Sequence, residues 1–133
     1  MLKYKQIEID SGYVGKDLSM LCCPRCGEIY LHHEGVISYD RSEDAEKVVK
    51  TTTLSPVTDA EDVKATTTSV EVTDGIGNPS DRRHGLAIAF WCECCSFDDD
   101  PNDLGNAIRS GRRIELTIAQ HKGSTHIGWR FDD

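Results

Sequence analysis

An all-β chain, mainly β and folded as a small sandwich or rolled sheet, is what this sequence predicts. Apolar and polar residues alternate through the C-terminal stretch: Ile114, Leu116 and Ile118 oppose Glu115, Thr117 and Ala119, and Ile127, Trp129 and Phe131 oppose His126, Gly128 and Arg130. A period of two is the pattern of a half-buried strand. The run Gly85 to Cys92 is apolar on both sides, which marks a central, buried strand. Helical periodicity is missing except over Leu104 to Arg109, where Asn102 or Asp103 can cap a single turn.

The elements follow in chain order. Lys3 to Asp10 sets Lys5, Ile7 and Ile9 on one side and Gln6, Glu8 and Asp10 on the other, an N-terminal strand. Glu28 to His33 and Val36 to Tyr39 read as two short strands separated by Gly35. The texture changes over about 41–80, which is rich in Thr, Val and acids, and Val49 to Ser55 is faintly echoed by Val63 to Ser69. Thr and Val favour strands, so this segment reads as a projecting hairpin or as a flexible, solvated insertion. Asp74 to Arg83 is a turn-rich connection and Asp98 to Asp103 an acidic loop. Arg112 to His121 and Thr125 to Phe131 form a hairpin, with Gly123-Ser124 as a type II′ turn that suits Gly in first position. That register pairs Ile118 with Trp129 and Leu116 with Phe131, and sets His121 opposite His126 on the other side.

A chain of 133 residues suits one domain spanning 1–133. Hydrophobic residues make up 38%, enough for a modest core that a structural metal would reinforce. No run of 18 apolar residues occurs, so no transmembrane helix and no membrane partner are expected. Met1 to Gln6 lacks the apolar stretch of a signal peptide, so a cytoplasmic protein is expected. The formal charge of −8 repels a phosphate backbone on average, so nucleic-acid binding would need a local basic patch.

Six cysteines fall in two clusters, Cys22, Cys23, Cys26 and Cys92, Cys94, Cys95. In a chain without an export signal such clusters read as metal sites before disulfides. Cys23-Pro24-Arg25-Cys26-Gly27 has the form of a zinc knuckle, and Cys92-Glu93-Cys94-Cys95 supplies a second pair at the same spacing. Four thiolates make a closed tetrahedral site for a structural Zn²⁺, with Cys23, Cys26, Cys92 and Cys95 as ligands. About 65 residues separate the knuckles, so the ion would clip distant strands together. Substitution of a ligand by Cys22, Cys94, His32 or His33 stays open at this level.

The knuckle pair resembles the zinc-ribbon class. More of the chain resembles small proteins of bacteria and their phages, through Cys23-Pro-Arg-Cys-Gly27, Tyr30-Leu-His-His33, Arg82-Arg83, Phe90-Trp-Cys-Glu-Cys94 and Gln120-His-Lys-Gly-Ser-Thr125. That resemblance implies a zinc ribbon within a β-fold and a mobile-element source, hence the cytoplasm of a bacterial cell or phage-infected host. It implies no catalytic residue.

Binding is expected rather than catalysis, because no nucleophile motif or phosphate loop is present. The first reading is a zinc-stabilised accessory module that docks on a protein partner through its acidic surface. The second is a nucleic-acid-binding zinc ribbon, with Arg82, Arg83, Arg112, Arg113, His121, Lys122, His126 and Arg130 as anion contacts. The third is a metal-dependent hydrolase or histidine-based nuclease. Oligomeric state and partner identity carry no signal in the sequence.

Overall fold

The computed structural model describes residues 2–10, 19–54, 67–95 and 114–132. The chain is mainly β, as expected, and no helix occurs among these residues. The strands are β1 (Leu2–Lys5), β2 (Ile9–Asp10), β3 (Met20–Leu21), β4 (Leu31–Asp40), β5 (Val48–Leu54), β6 (Thr67–Thr73), β7 (Gly85–Cys92), β8 (Ile114–His121) and β9 (Ser124–Asp132). Seven of them form one open antiparallel sheet in the order β1-β9-β8-β7-β4-β5-β6, and β2 pairs with β3 in a separate ribbon.

Strand β7 stands in the middle of the sheet, as its two-sided apolar run requires. Its neighbour β4 is one continuous strand rather than two. The expected break at Gly35 is a bulge, where the register against β7 shifts between His33 and Gly35. One extra residue bends a strand without ending it. Strands β5 and β6 pair along their whole length, and β5 also pairs with β4, so the Thr- and Val-rich segment completes the sheet as a hairpin. Its connection, 55–66, lies outside the described residues, as do the acidic loop at 98–103 and the helical turn expected at 104–109.

The N-terminal strand is shorter than its alternation implied. Only Leu2–Lys5 pairs with β9, and Ile9–Asp10 turns to pair with Met20–Leu21. Cys22 N donates to Glu8 O across 3.1 Å, which extends that ribbon toward the first knuckle.

The C-terminal hairpin is present, with its turn one residue earlier than expected. Lys122 (φ 47°) and Gly123 (φ 85°) are the central pair. Positive φ at both positions is the type I′ geometry, which matches strand twist as type II′ does. Pairing is therefore Leu116 with Trp129, Ile114 with Phe131 and Ala119 with His126. A slip of two residues leaves every side chain on its expected face, so the apolar pattern alone could not detect it.

Two cores lie on opposite faces of the sheet. On one, Cys23, Ile114, Leu116, Trp129 and Phe131 are buried together, with Ile7, Leu21, Leu31, Ile88 and Phe90 packed against them. On the other, Ile37, Tyr39, Val48 and Ala87 form a smaller cluster. The 74–84 connection lies close to that second core, since a Cβ on Gly77 would meet Tyr39 Oη at 2.9 Å. The first core places the cysteines.

Candidate metal centre

The first knuckle is built by backbone hydrogen bonds. Cys23 N donates to Glu28 O across 2.7 Å, and Gly27 N donates to Cys23 O across 2.9 Å. Gly27 takes φ +81°, the left-handed conformation that this tight return needs and that glycine adopts without a Cβ penalty. Arg25 N–H approaches Cys23 Sγ at 3.4 Å. Strand β1 steadies the loop through Lys5 Nζ, which donates to Pro24 O across 3.1 Å.

The second knuckle begins where β7 ends. Leu31 pairs with Cys92, and Glu93 N donates to Tyr30 O across 3.0 Å. The segment leaving the first knuckle is thus laddered to the strand entering the second. The long sequence separation is closed by the β4–β7 pairing, and the two cysteine pairs face each other.

All four sulfurs of Cys23, Cys26, Cys92 and Cys95 lie within 4.8 Å of one another. Cys23 Sγ is 3.6 Å from Cys95 Sγ, and Cys26 Sγ is 3.6 Å from Cys92 Sγ. A Zn–S bond of about 2.3 Å in a tetrahedron sets sulfurs roughly 3.8 Å apart. The spacing and the donor set therefore fit a four-thiolate metal site. It is the only such group among the described residues.

Electrostatics in the quartet are uneven. Burial pushes the Cys92 thiol up to about 11 and raises Cys95 further, with hydrogen bonds and charge from the neighbouring thiols adding to the effect. Burial acts upward on Cys26 as well, but hydrogen bonds from the Glu28 backbone and from Cys92, Cys95 and Cys23 outweigh it and lower that thiol. Four thiolates so close repel one another, and a divalent cation is what relieves such crowding. Cys23 is buried while Cys26 reaches solvent, so the centre sits between the core and the surface.

The alternative ligands lie outside this group. The exposed Cys94 thiol is raised by desolvation and then by the charge of Glu28, Cys26 and Glu93, opposite to what a reactive low-pKa thiol needs. Cys22 lies outside the quartet. His32 stacks on Trp91 at 4.3 Å and contacts the Glu93 carboxylate through Nε2. His33 meets the Phe90 ring edge-on.

Among the described residues, the basic side chains singled out from the sequence are dispersed or already paired. Arg82 makes a two-pronged contact with Asp44, Nε to Oδ1 at 2.9 Å and Nη2 to Oδ2 at 2.8 Å. Arg82 Nη2 and Arg83 Nη2 both reach Glu43 Oε1, at 3.3 and 3.0 Å. Arg130 is buried opposite Glu115, its Nε donating to Oε1 across 3.1 Å. No sequence signal marked that pair beyond the alternation that put both on one face. His121 and His126 are diagonal neighbours rather than direct partners, with ring centres 5.6 Å apart, and Lys122 is exposed in the turn between them. Arg112 and Arg113 lie outside the described residues.

No protein-family model matches the chain, and searches of curated proteins and of solved structures give no match either. No helix among the described residues is long and apolar enough to cross a membrane. The functional reading rests on the residues themselves.

Proposed function

We propose that the protein is a non-enzymatic binding module whose sheet is stapled by one structural Zn²⁺ on Cys23, Cys26, Cys92 and Cys95, and that it docks on another protein through its acidic surface. The observation that carries the metal reading is the quartet: four sulfurs at tetrahedral spacing, gathered from two knuckles about 65 residues apart. Bound there, the ion joins the loop before β4 to the end of β7, beside the Trp129 core. Four protein ligands leave no position for a substrate, which favours a structural role over hydrolysis.

The docking half rests on charge. Asp and Glu outnumber Lys and Arg by 23 to 15. Arg82 and Arg83 are matched by Glu43 and Asp44, and Arg130 is matched by Glu115. Those three arginines of the described residues are thus already engaged by carboxylates rather than offered to a phosphate backbone, which favours a protein partner over nucleic acid. The motif resemblance supports a bacterial or phage source and a cytoplasmic setting.

Metal analysis with X-ray absorption tests the staple. With one equivalent of zinc bound, sulfur alone in its first shell is expected, and nitrogen or oxygen ligands at that loading would overturn it. The docking reading is tested by capturing partners from a bacterial lysate and repeating with Asp98, Asp99 and Asp100 changed to Asn. Slower association of the variant is expected, since surface charge acts mainly on encounter. Undiminished capture, or steeply salt-sensitive binding of DNA or RNA by the original chain, would point to the nucleic-acid reading instead.

A further inference from the structure

We propose that His121 and His126, at the end of the β8–β9 hairpin, form a second metal site, one that takes a borderline divalent transition ion such as Zn²⁺ with open coordination positions. Three observations meet there. Ala119 pairs with His126 and His121 pairs with Ser124, so both histidines stand on the same face, one step apart on the diagonal. Their rings lie 5.6 Å apart, centre to centre, at a tilt of 47°. Both line a hollow of about 250 Å³ that Asp81 also borders.

The ring spacing is compatible with chelation. A Zn–N bond of about 2.0–2.1 Å places a ring centre roughly 3.2 Å from the ion, so two imidazoles at a tetrahedral angle stand roughly 5.2 Å apart. The observed spacing needs only a small adjustment, within the freedom of side chains at a hairpin end. The opposite wall is held in place. Ser80 Oγ donates to Gln120 O across 2.7 Å, and Gln120 N donates to His84 O across 3.1 Å, which fastens the 79–84 segment to β8 beside the histidines. Asp81 is thereby kept at the rim, outside ligand range of the two rings, where its negative charge favours a cation in the hollow.

The donor set selects the ion. Two imidazoles suit Zn²⁺, Ni²⁺ or Cu²⁺, whereas Ca²⁺ and Mg²⁺ require mostly oxygen. This site differs in kind from the cysteine quartet. Its protein ligands do not fill a coordination sphere, so an ion there would present exchangeable positions to whatever enters the hollow.

The test uses untagged full-length protein and observes the histidine ring signals by NMR, a readout independent of the quartet. Zn²⁺ added beyond the first equivalent should shift the His121 and His126 resonances together and leave those of His33 and His84 in place. Loss of an outer-shell partner alone commonly weakens a metal about 10–100-fold. Accordingly His121→Ala or His126→Ala should weaken this uptake at least about tenfold, and Asp81→Asn should weaken it less. His126→Gln serves as the second variant if an alanine chain misfolds, which circular dichroism would reveal. Unmoved His121 and His126 signals, or uptake untouched by these substitutions, would overturn the site. A parallel titration with inorganic phosphate separates the alternative: shifts with phosphate and none with Zn²⁺ would make the pair an anion contact.

Discussion

Arg130 lies directly across the β8–β9 ladder from Glu115, and both side chains are about nineteen-twentieths buried, at 4% and 5% exposure. Burial alone would lower the guanidinium's pKa, yet the charge of Glu115 and a hydrogen bond donated to Tyr4 leave it raised. A buried pair of this kind costs much to break and less to replace as a unit. Arg130→Ala should destabilise by about 3–5 kcal/mol in urea unfolding, by stripping a buried carboxylate of a counter-charge. The double change Glu115→Leu with Arg130→Met should recover most of that loss. A double variant as unstable as the single one would show that the pair holds the sheet in some further way.

Trp129 carries the core beside the metal centre. It is 1% exposed, and Phe90 meets it edge-on with ring centres 5.5 Å apart. Trp129→Ala should cost about 3–5 kcal/mol. Its Nε1 finds no hydrogen-bond partner among the described residues. Trp129→Phe therefore loses volume without losing a bond and should be clearly milder than Ala in thermal unfolding. Equal damage from the two would mean that the indole N–H has a partner after all.

Metal removal should unfold more than the knuckles. If the ion's binding energy is part of the folding energy, a strong chelator lowers the melting temperature sharply. Acidification should act likewise, because the ligands must be thiolates and protons compete for them as pH falls. Cys23→Ser or Cys95→Ser should abolish sulfur-only binding, while Cys94→Ser should leave stoichiometry and melting temperature unchanged. Loss of metal in the Cys94 variant would mean that the quartet is composed differently.

The Arg82–Asp44 contact predicts a titration shift. The Arg82 hydrogen bond foremost, and the charge of Arg82, Arg41 and Arg83 after it, hold the Asp44 carboxyl below its ordinary value of 3.8. A depressed folded-state value stabilises the fold above the unfolded pKa. That contribution fades as pH falls through the folded value. Arg82→Ala should return the Asp44 carboxyl toward 3.8, measurable by carbon-detected NMR titration. An unchanged value would mean that Arg41 and Arg83 suffice.

Replacing His121 and His126 together by Ala should shift stability by less than about 0.5 kcal/mol, as for most surface changes. His126 is exposed and His121 only half-buried, so neither supports the core. Urea unfolding checks this, and a loss of several kcal/mol would show that the hairpin end is structural.

The sequence made some of these features legible and hid others for physical reasons. The run from Gly85 to Cys92 announced β7 because a strand between two neighbours and two cores has no polar side. The quartet was legible because knuckle spacing is set locally, within four residues, whatever the fold does between. The hairpin register was not, since alternation fixes the face and is blind to a slip of two. Gly123 could serve as first residue of one turn or second of another, and Lys122 accepting φ 47° decided it. Arg130 read as a surface cation because alternation cannot tell a solvated polar face from one that buries an ion pair. Arg82 and Arg83 read as free for the same kind of reason: their acidic partners lie about 40 residues away in the chain.

Strand β1 pairs only with β9, the first described strand with the last. A ribosome delivers β9 more than a hundred residues after β1. While the chain emerges, residues 31–92 can already assemble the β7-β4-β5-β6 half, whose pairings are comparatively local. The other edge must wait, with Leu2–Lys5 unpaired until Ser124–Asp132 clears the exit tunnel. Pairings of such long reach form late and slowly. A stalled or truncated chain would therefore keep its cysteines yet expose the apolar floor on which the first knuckle rests, and quality control would meet it as an unfinished sheet.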